Sequence, residues 1–150
     1  MQQIKINHGF TLIELMVTIA VMAIIATMAA PSFGNLVEKQ KLILTTRDLS
    51  HKLWEARSKA VLIRKDVTVT LNDVTKSSKN DTDIQMYWNP KDGNALTSSS
   101  ITSIIFTPYG IVKDATTDRD LMICNNYLNI AKIVTVTRMG TLSNKSDGAC

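Results

Sequence analysis

The stretch from Gly9 to Ala30, G-F-T-L-I-E-L-M-V-T-I-A-V-M-A-I-I-A-T-M-A-A, is apolar apart from Thr11, Glu14, Thr18 and Thr27. From Phe10 it matches the ~20 residues an α-helix needs to cross a bilayer. Only the short polar segment 1–9 precedes it, and Glu14 places a carboxylate in its first turns. A carboxylate in that setting costs roughly 2.5 kcal/mol or more on insertion, so it calls for a partner and a role. Cutting the chain after Gly9 creates an α-amino group on Phe10, at the same end of the helix as Glu14. That amine and the carboxylate of a neighbouring helix can neutralise each other when helices pack side by side. A secretory signal fits less well. Its apolar region should end on small residues at −3 and −1. Thr27-Met28-Ala29 and Met28-Ala29-Ala30 each put a larger residue at −3.

Gly9-Phe10-Thr11-Leu12-Ile13-Glu14 resembles the processing motif of type IV pilins and of the pseudopilins of type II secretion: a short leader, Gly before the cut, Phe after it, and Glu four residues further on. The resemblance implies a prepilin peptidase that cuts after Gly9 on the cytoplasmic side and N-methylation of Phe10. It also implies a role for Glu14 in registering subunits within a filament. The expected organisation is a cleaved leader (1–9), a transmembrane and assembly helix (10–30), an amphipathic stem helix (31–65) and a β-rich globular domain (66–150). Pro31 and Gly34 predict a kink or local melting between Thr27 and Gly34.

Behind leader and membrane helix remain about 120 of the 150 residues, enough for one small domain. Hydrophobic residues make up 45%, enough for a core, and aromatics only 5%, so Trp54 and Trp88 are expected at large core or interface sites. A chain exported behind such a helix enters an oxidising compartment, where Cys124 and Cys150 are the default disulfide. The loop of about 25 residues that it closes is worth ~3 kcal/mol in the chain-entropy model. The alternative is two free thiols.

The stem repeats Leu42, Thr46, Leu49, Leu53, Ala56, Ala60 and Ile63 at four-three spacing, one core-facing stripe in which Ala56 and Ala60 allow close approach of a sheet. Leu44 and Trp54 lie off it, and Asp48–Lys52 and Glu55–Lys59 are i,i+4 pairs. After Lys65 the period becomes two. Val67–Leu71, Ile84–Trp88, Ile104–Phe106, Leu121–Ile123 and Ile133–Thr137 are strand candidates. The polar connectors between them include turn signals at Asn89-Pro90, Asp92-Gly93 and Thr107-Pro108-Tyr109-Gly110. The expected class is α+β, one long N-terminal helix laid on an antiparallel sheet.

Ala56-Arg57-Ser58-Lys59-Ala60 is similar to the A-R-S-x-A segment of the GspH/FimT group of minor pilins and pseudopilins. Phe106-Thr107-Pro108-Tyr109-Gly110 resembles that group's F-x-P-x-G turn, and a cysteine on a following strand and a final strand ending near Gly140 also match. This resemblance implies a minor subunit that primes or caps a type IV pilus, in systems serving adhesion, twitching motility or DNA uptake, or its counterpart in type II secretion. It implies other minor pilins and the major pilin as partners. The chain is expected as a single-pass inner-membrane protein with its bulk in the periplasm, and afterwards in the pilus or pseudopilus.

No enzyme, cofactor or metal constellation is present in the sequence. His8 lies in the leader and His51 on the stem, no G-x-S-x-G, H-E-x-x-H or phosphate loop occurs, and Asp81, Asp83 and Asp92 lack calcium-loop spacing. They read as solvated loop acids. DNA is the rival partner. Some members of the group carry G-R-x-R after the last strand, but here Gly140-Thr141-Leu142-Ser143 stands at those positions. Arg138 and Lys132 are the nearest candidates for such contacts. The charge argues against the role. Asn35–Lys65 carries eight Lys/Arg against three Asp/Glu, net +5, whereas Asp66–Cys150 carries eight against nine, net −1. Phosphate binding needs clustered positive charge.

Overall fold

The computed structural model describes residues 10–73, 80–97 and 101–150, and within these the backbone alone of residues 28–32. The leader 1–9, with Gly9, lies outside the described residues, as do 74–79 and 98–100 of two polar connectors.

One helix, α1 (Leu12–Ile63), carries both the apolar run and the stem. It starts behind Thr11, whose Oγ1 accepts the Glu14 N–H (3.3 Å) and whose carbonyl accepts the Leu15 N–H (3.2 Å). Thr11 is thus the N-cap and Glu14 the third helical residue, the T-x-x-E spacing of a capping box. The expected melting around Pro31 does not occur, and helix runs through Pro31 and Gly34. A proline deletes one hydrogen bond of the ladder, and its neighbours carry the helix past it. The helix ends at Arg64, whose φ of 55° takes the left-handed conformation that closes many helices.

The chain forms two compact units, one up to Leu36 and one from Val37 to Cys150. In the first, the large apolar side chains from Phe10 to Ile25 are all exposed. Among the described residues no helix is long and apolar enough to cross a membrane, and the described side chains of the apolar run stop at Thr27.

In the second unit the stripe is buried as its spacing dictates: Leu42, Thr46, Leu49, Leu53, Ala56 and Ala60 are inside, and Ile63 packs against the core. The Thr46 hydroxyl is satisfied by the Leu42 carbonyl (2.7 Å). Against this face lie, among the described residues, the strands β1 (Val67–Leu71), β2 (Gln85–Trp88), β3 (Asn94–Leu96), β4 (Ser103–Phe106), β5 (Arg119–Asn125), β6 (Ile130–Val136) and β7 (Leu142–Asn144). They form two sheets, of order β2-β1-β4 and β3-β5-β6-β7. Their inner faces share one core with α1, including Val69, Met86, Phe106, Leu121, Ile123 and Val134.

The sheet differs from the expectation in three respects. β1 and β2 run parallel (Val69 opposite Met86), although every other pairing is antiparallel. The connector from Asn72 to Ile84 has the dozen residues such a crossover needs. β3 and β7 are additional, short strands. Ile84 is exposed at the mouth of β2 instead of alternating inward.

The charges of the stem also pair differently. Lys52 reaches Asp81 as well as Glu55, Lys59 reaches Asp83 and the Thr82 carbonyl, and Asp48 accepts the indole N–H of buried Trp88 (2.9 Å). The i,i+4 pairs along the helix give way to bonds across to the 81–88 segment. Asp81, which also accepts the Tyr87 N–H (2.9 Å), is therefore a docking acid, whereas Asp83 keeps an 88% exposed side chain and is solvated as expected. Trp54, unlike Trp88, is exposed.

Candidate functional site

Three motifs singled out in the sequence meet at one junction. The turn after β4 and the turn after β6 share one geometry. Gly110 N–H bonds the Thr107 carbonyl and Thr107 N–H the Ile111 carbonyl, while Gly140 N–H bonds the Thr137 carbonyl and Thr137 N–H the Thr141 carbonyl. In each, Gly sits last with φ of 75°, the left-handed position of a three-residue loop with a bulge. Arg57 on α1 bridges the two turns. Its Nε donates to Gly110 O (2.9 Å) and one Nη to Met139 O (3.2 Å). The Val112 N–H donates to Arg138 O (3.0 Å), tying the first turn to the second. Contact here is close enough that a Cβ on Gly140 would lie 2.1 Å from Gly110 O. The arginine and the two glycines thus join helix and both sheets at one point.

A polar network does the same at the start of the domain. Asn125 on β5 donates to Glu38 Oε2 (3.1 Å) and to Asn94 Oδ1 (3.0 Å), and Asn94 on β3 donates to Thr45 Oγ1 (2.9 Å). Hydrogen bonds from Lys41 and then Asn125 hold the Glu38 carboxyl below its ordinary value near 4.5. A carboxyl lowered on folding contributes stability that is present above its unfolded pKa and lost as pH falls through its folded one. The denaturation midpoint is therefore expected to drop as pH falls below about 4.5. Glu38→Gln should flatten part of that drop, and an unchanged acid limb would remove Glu38 from the account. Nothing in the apolar spacing pointed to this network, because its members are scattered polar residues on three elements.

The two cysteines are brought together as thiols. Cys124 is buried on β5, while Cys150 is exposed and its thiol faces the Ile130 carbonyl (3.3 Å). Partial desolvation of its sulfur, which sits against the Asn125 and Ile130 carbonyls, and the adjacent Cys124 push the Cys150 thiol up to about 11. The tail reaches this place along β6 through the Ala131–Gly148 bridge and the Lys132–Asp147 ion pair (2.7 Å).

Lys132 and Arg138 are not brought together. Lys132 lies within β6, four residues or ~13 Å of extended strand before its end, and Arg138 sits in the turn beyond that end. Lys132 is neutralised by Asp147, and Lys145 by Asp120 (2.6 Å). Phe10 and Glu14 lie at the exposed start of α1, and Gly9 is outside the described residues. Among the described residues no group of His, Cys, Asp and Glu could hold a metal ion.

The family model of the prokaryotic N-terminal methylation motif matches residues 4–30. Two crystal structures of the type IV minor pilin FimU of Pseudomonas aeruginosa are similar in fold. One has 17% identity and a TM-score of 0.54 over 74% of this chain and 92% of that one. The other has 20% identity and a TM-score of 0.50 over 70% and 93%. No curated protein matches the chain. An N-terminal methylation motif is thus joined here to a pilin-like fold, a long helix laid on a mostly antiparallel β-domain.

Proposed function

We propose that this chain is a minor pilin, a structural subunit that primes or caps assembly of a type IV pilus. The observation that carries the reading is the methylation motif at residues 4–30 placed ahead of a domain folded like FimU. In this reading a prepilin peptidase cuts after Gly9 and Phe10 is methylated. The run 10–30 holds the chain in the inner membrane with its bulk in the periplasm. Glu14 then registers the helix among other minor subunits and the major pilin. The likeness to FimU favours the pilus over the secretion pseudopilus. The neutralised Lys132 and Lys145 weigh against DNA as the partner. Filaments sheared from cells should contain this chain at a small fraction of the major subunit. Its absence from them, with normal amounts in the membrane, would contradict the reading.

The adjacent thiols support a Cys124–Cys150 disulfide in the exported protein. The bond would fasten the tail to β5, where terminal residues otherwise tend to loosen. Thiol labelling of denatured protein isolated under oxidising conditions should find no free cysteine. Two labels per chain would refute the bridge.

A further inference from the structure

The outer side of the Arg57 junction is an open groove of about 400 Å³ with no carboxylate in its lining. Its walls are apolar and exposed: Trp54 (60%), Val61, Leu62 (82%) and Tyr109 (86%). Helix positions 54, 58, 61 and 62 share one face, displaced from the core stripe. Their exposure is therefore built into the register of α1 and is not the fraying of an end. Large aromatic and aliphatic side chains grouped in this way mark interaction sites more than scattered ones do. The floor is Arg57. Two of the five N–H donors of its guanidinium are spent on Gly110 O and Met139 O. Both acceptors are uncharged carbonyls, so its positive charge has no counter-ion among the described residues. Arg64 follows Leu62 by two residues and Arg138 adjoins Met139, and both are exposed and likewise without an ion pair among the described residues.

We propose that this groove docks a segment of a neighbouring filament subunit that carries an acidic side chain next to a bulky apolar one. The inference rests on the minor-pilin reading. The apolar side chain lies between Trp54 and Tyr109, and the carboxylate takes the remaining guanidinium donors of Arg57, with Arg64 and Arg138 adding to the field. Charge-assisted, two-pronged contact with a carboxylate is what a planar guanidinium offers beyond a bare positive charge. Pairing also removes the cost of an arginine covered without a counter-ion, so a neutral apolar segment fits less well. A nucleic acid suits the groove less than an acidic peptide. The pocket is sized for side chains, and among the described residues beyond Lys65 three of the lysines, Lys113, Lys132 and Lys145, are already paired with Asp66, Asp147 and Asp120.

The test uses the full chain in cells that assemble filaments. A photo-crosslinking residue, benzoylphenylalanine, is introduced as Leu62→benzoylphenylalanine or Tyr109→benzoylphenylalanine, with the exposed hairpin position Tyr127 as control. Crosslinked peptides are sequenced by mass spectrometry. Positions 62 and 109 should attach to one segment of another filament subunit, with an Asp or Glu within two residues of the attached apolar residue. Arg64→Glu should lower that yield about fivefold, as loss and reversal of one exposed charge contact would, without changing the amount of the chain in the membrane. Attachment to a segment without an acid, to nucleic acid, or equally from position 127 overturns the proposal. So does a chain that enters filaments without crosslinking at 62 and 109, and in that case the minor-pilin reading stands. A chain that never enters filaments overturns both.

Discussion

Gly140→Ala is expected to cost the domain more than ~4 kcal/mol, a range reached by few single substitutions. The new Cβ would meet the Gly110 carbonyl oxygen at 2.1 Å, and that oxygen belongs to backbone fixed by Arg57. Rotation of a side chain cannot relieve the clash, and a non-glycine residue at φ of 75° adds ~1–2 kcal/mol of its own. Small domains hold only ~5–15 kcal/mol, so much of the chain should be unfolded or degraded. Gly110→Ala is the comparison. Its Cβ would lie 3.2 Å from Arg57 Nε and 3.3 Å from a Val61 methyl, both on side chains that can shift. The loss there should be about 1–2 kcal/mol, mostly backbone strain. Arg57→Ala should cost about 1–3 kcal/mol through the buried Gly110 carbonyl left without its donor. Buried Trp88 reports the unfolding by its fluorescence in denaturant. A Gly140→Ala midpoint equal to that of the unaltered chain would mean that the two turns do not hold the sheets together as described.

Glu14→Ala should leave the chain in the membrane at normal levels or above and sharply reduce its share in filaments. Removing a carboxylate from an apolar helix eases insertion by roughly 2.5 kcal/mol or more. The helix start survives the change, because Thr11 Oγ1 accepts the backbone N–H of residue 14 and not its side chain. Only the favourable placement of an acid in the first turn is lost, typically ~0.3–1 kcal/mol. A defect in assembly would therefore be due to the carboxylate itself. Glu14→Gln, which keeps size and polarity, should be about as poor. Quantifying the chain in membranes and in sheared filaments separates the two effects. Normal incorporation of either variant would count against pairing of Glu14 with the Phe10 amine.

What the sequence made legible follows a physical line. Burial at regular spacing could be read directly. The stripe from Leu42 to Ile63 and the alternation in Val67–Leu71 came out in register because solvent exclusion acts on every residue of an element. Partners across the fold could not be read in this way. Lys52 has Glu55 and Asp48 near it along the helix and Asp81 across from it, and only the folded chain selects Asp81 as its nearest partner. The parallel pairing of β1 with β2 was hidden for the same reason, since two-residue alternation is equal in parallel and antiparallel strands. β3 and β7, of three residues each, are too short to show a period. Of the junction, Gly110 and the A-R-S-x-A segment stood out in sequence, but their meeting with Gly140 did not. One cue was available: T-P-Y-G-I and T-R-M-G-T have the same Thr-x-x-Gly spacing, the mark of two identical turns. At the N-terminus the T-x-x-E spacing of Thr11 and Glu14 also carried a capping signal beside the assembly role inferred for the acid.

The central claim, that this chain is processed and assembled as a pilin, is tested most directly by the mass of the N-terminal peptide of the protein isolated from membranes or filaments. The account predicts a chain beginning at Phe10 and carrying one N-methyl group. A chain still beginning at Met1, or one beginning near Pro31 as after removal of a secretory signal, would contradict it.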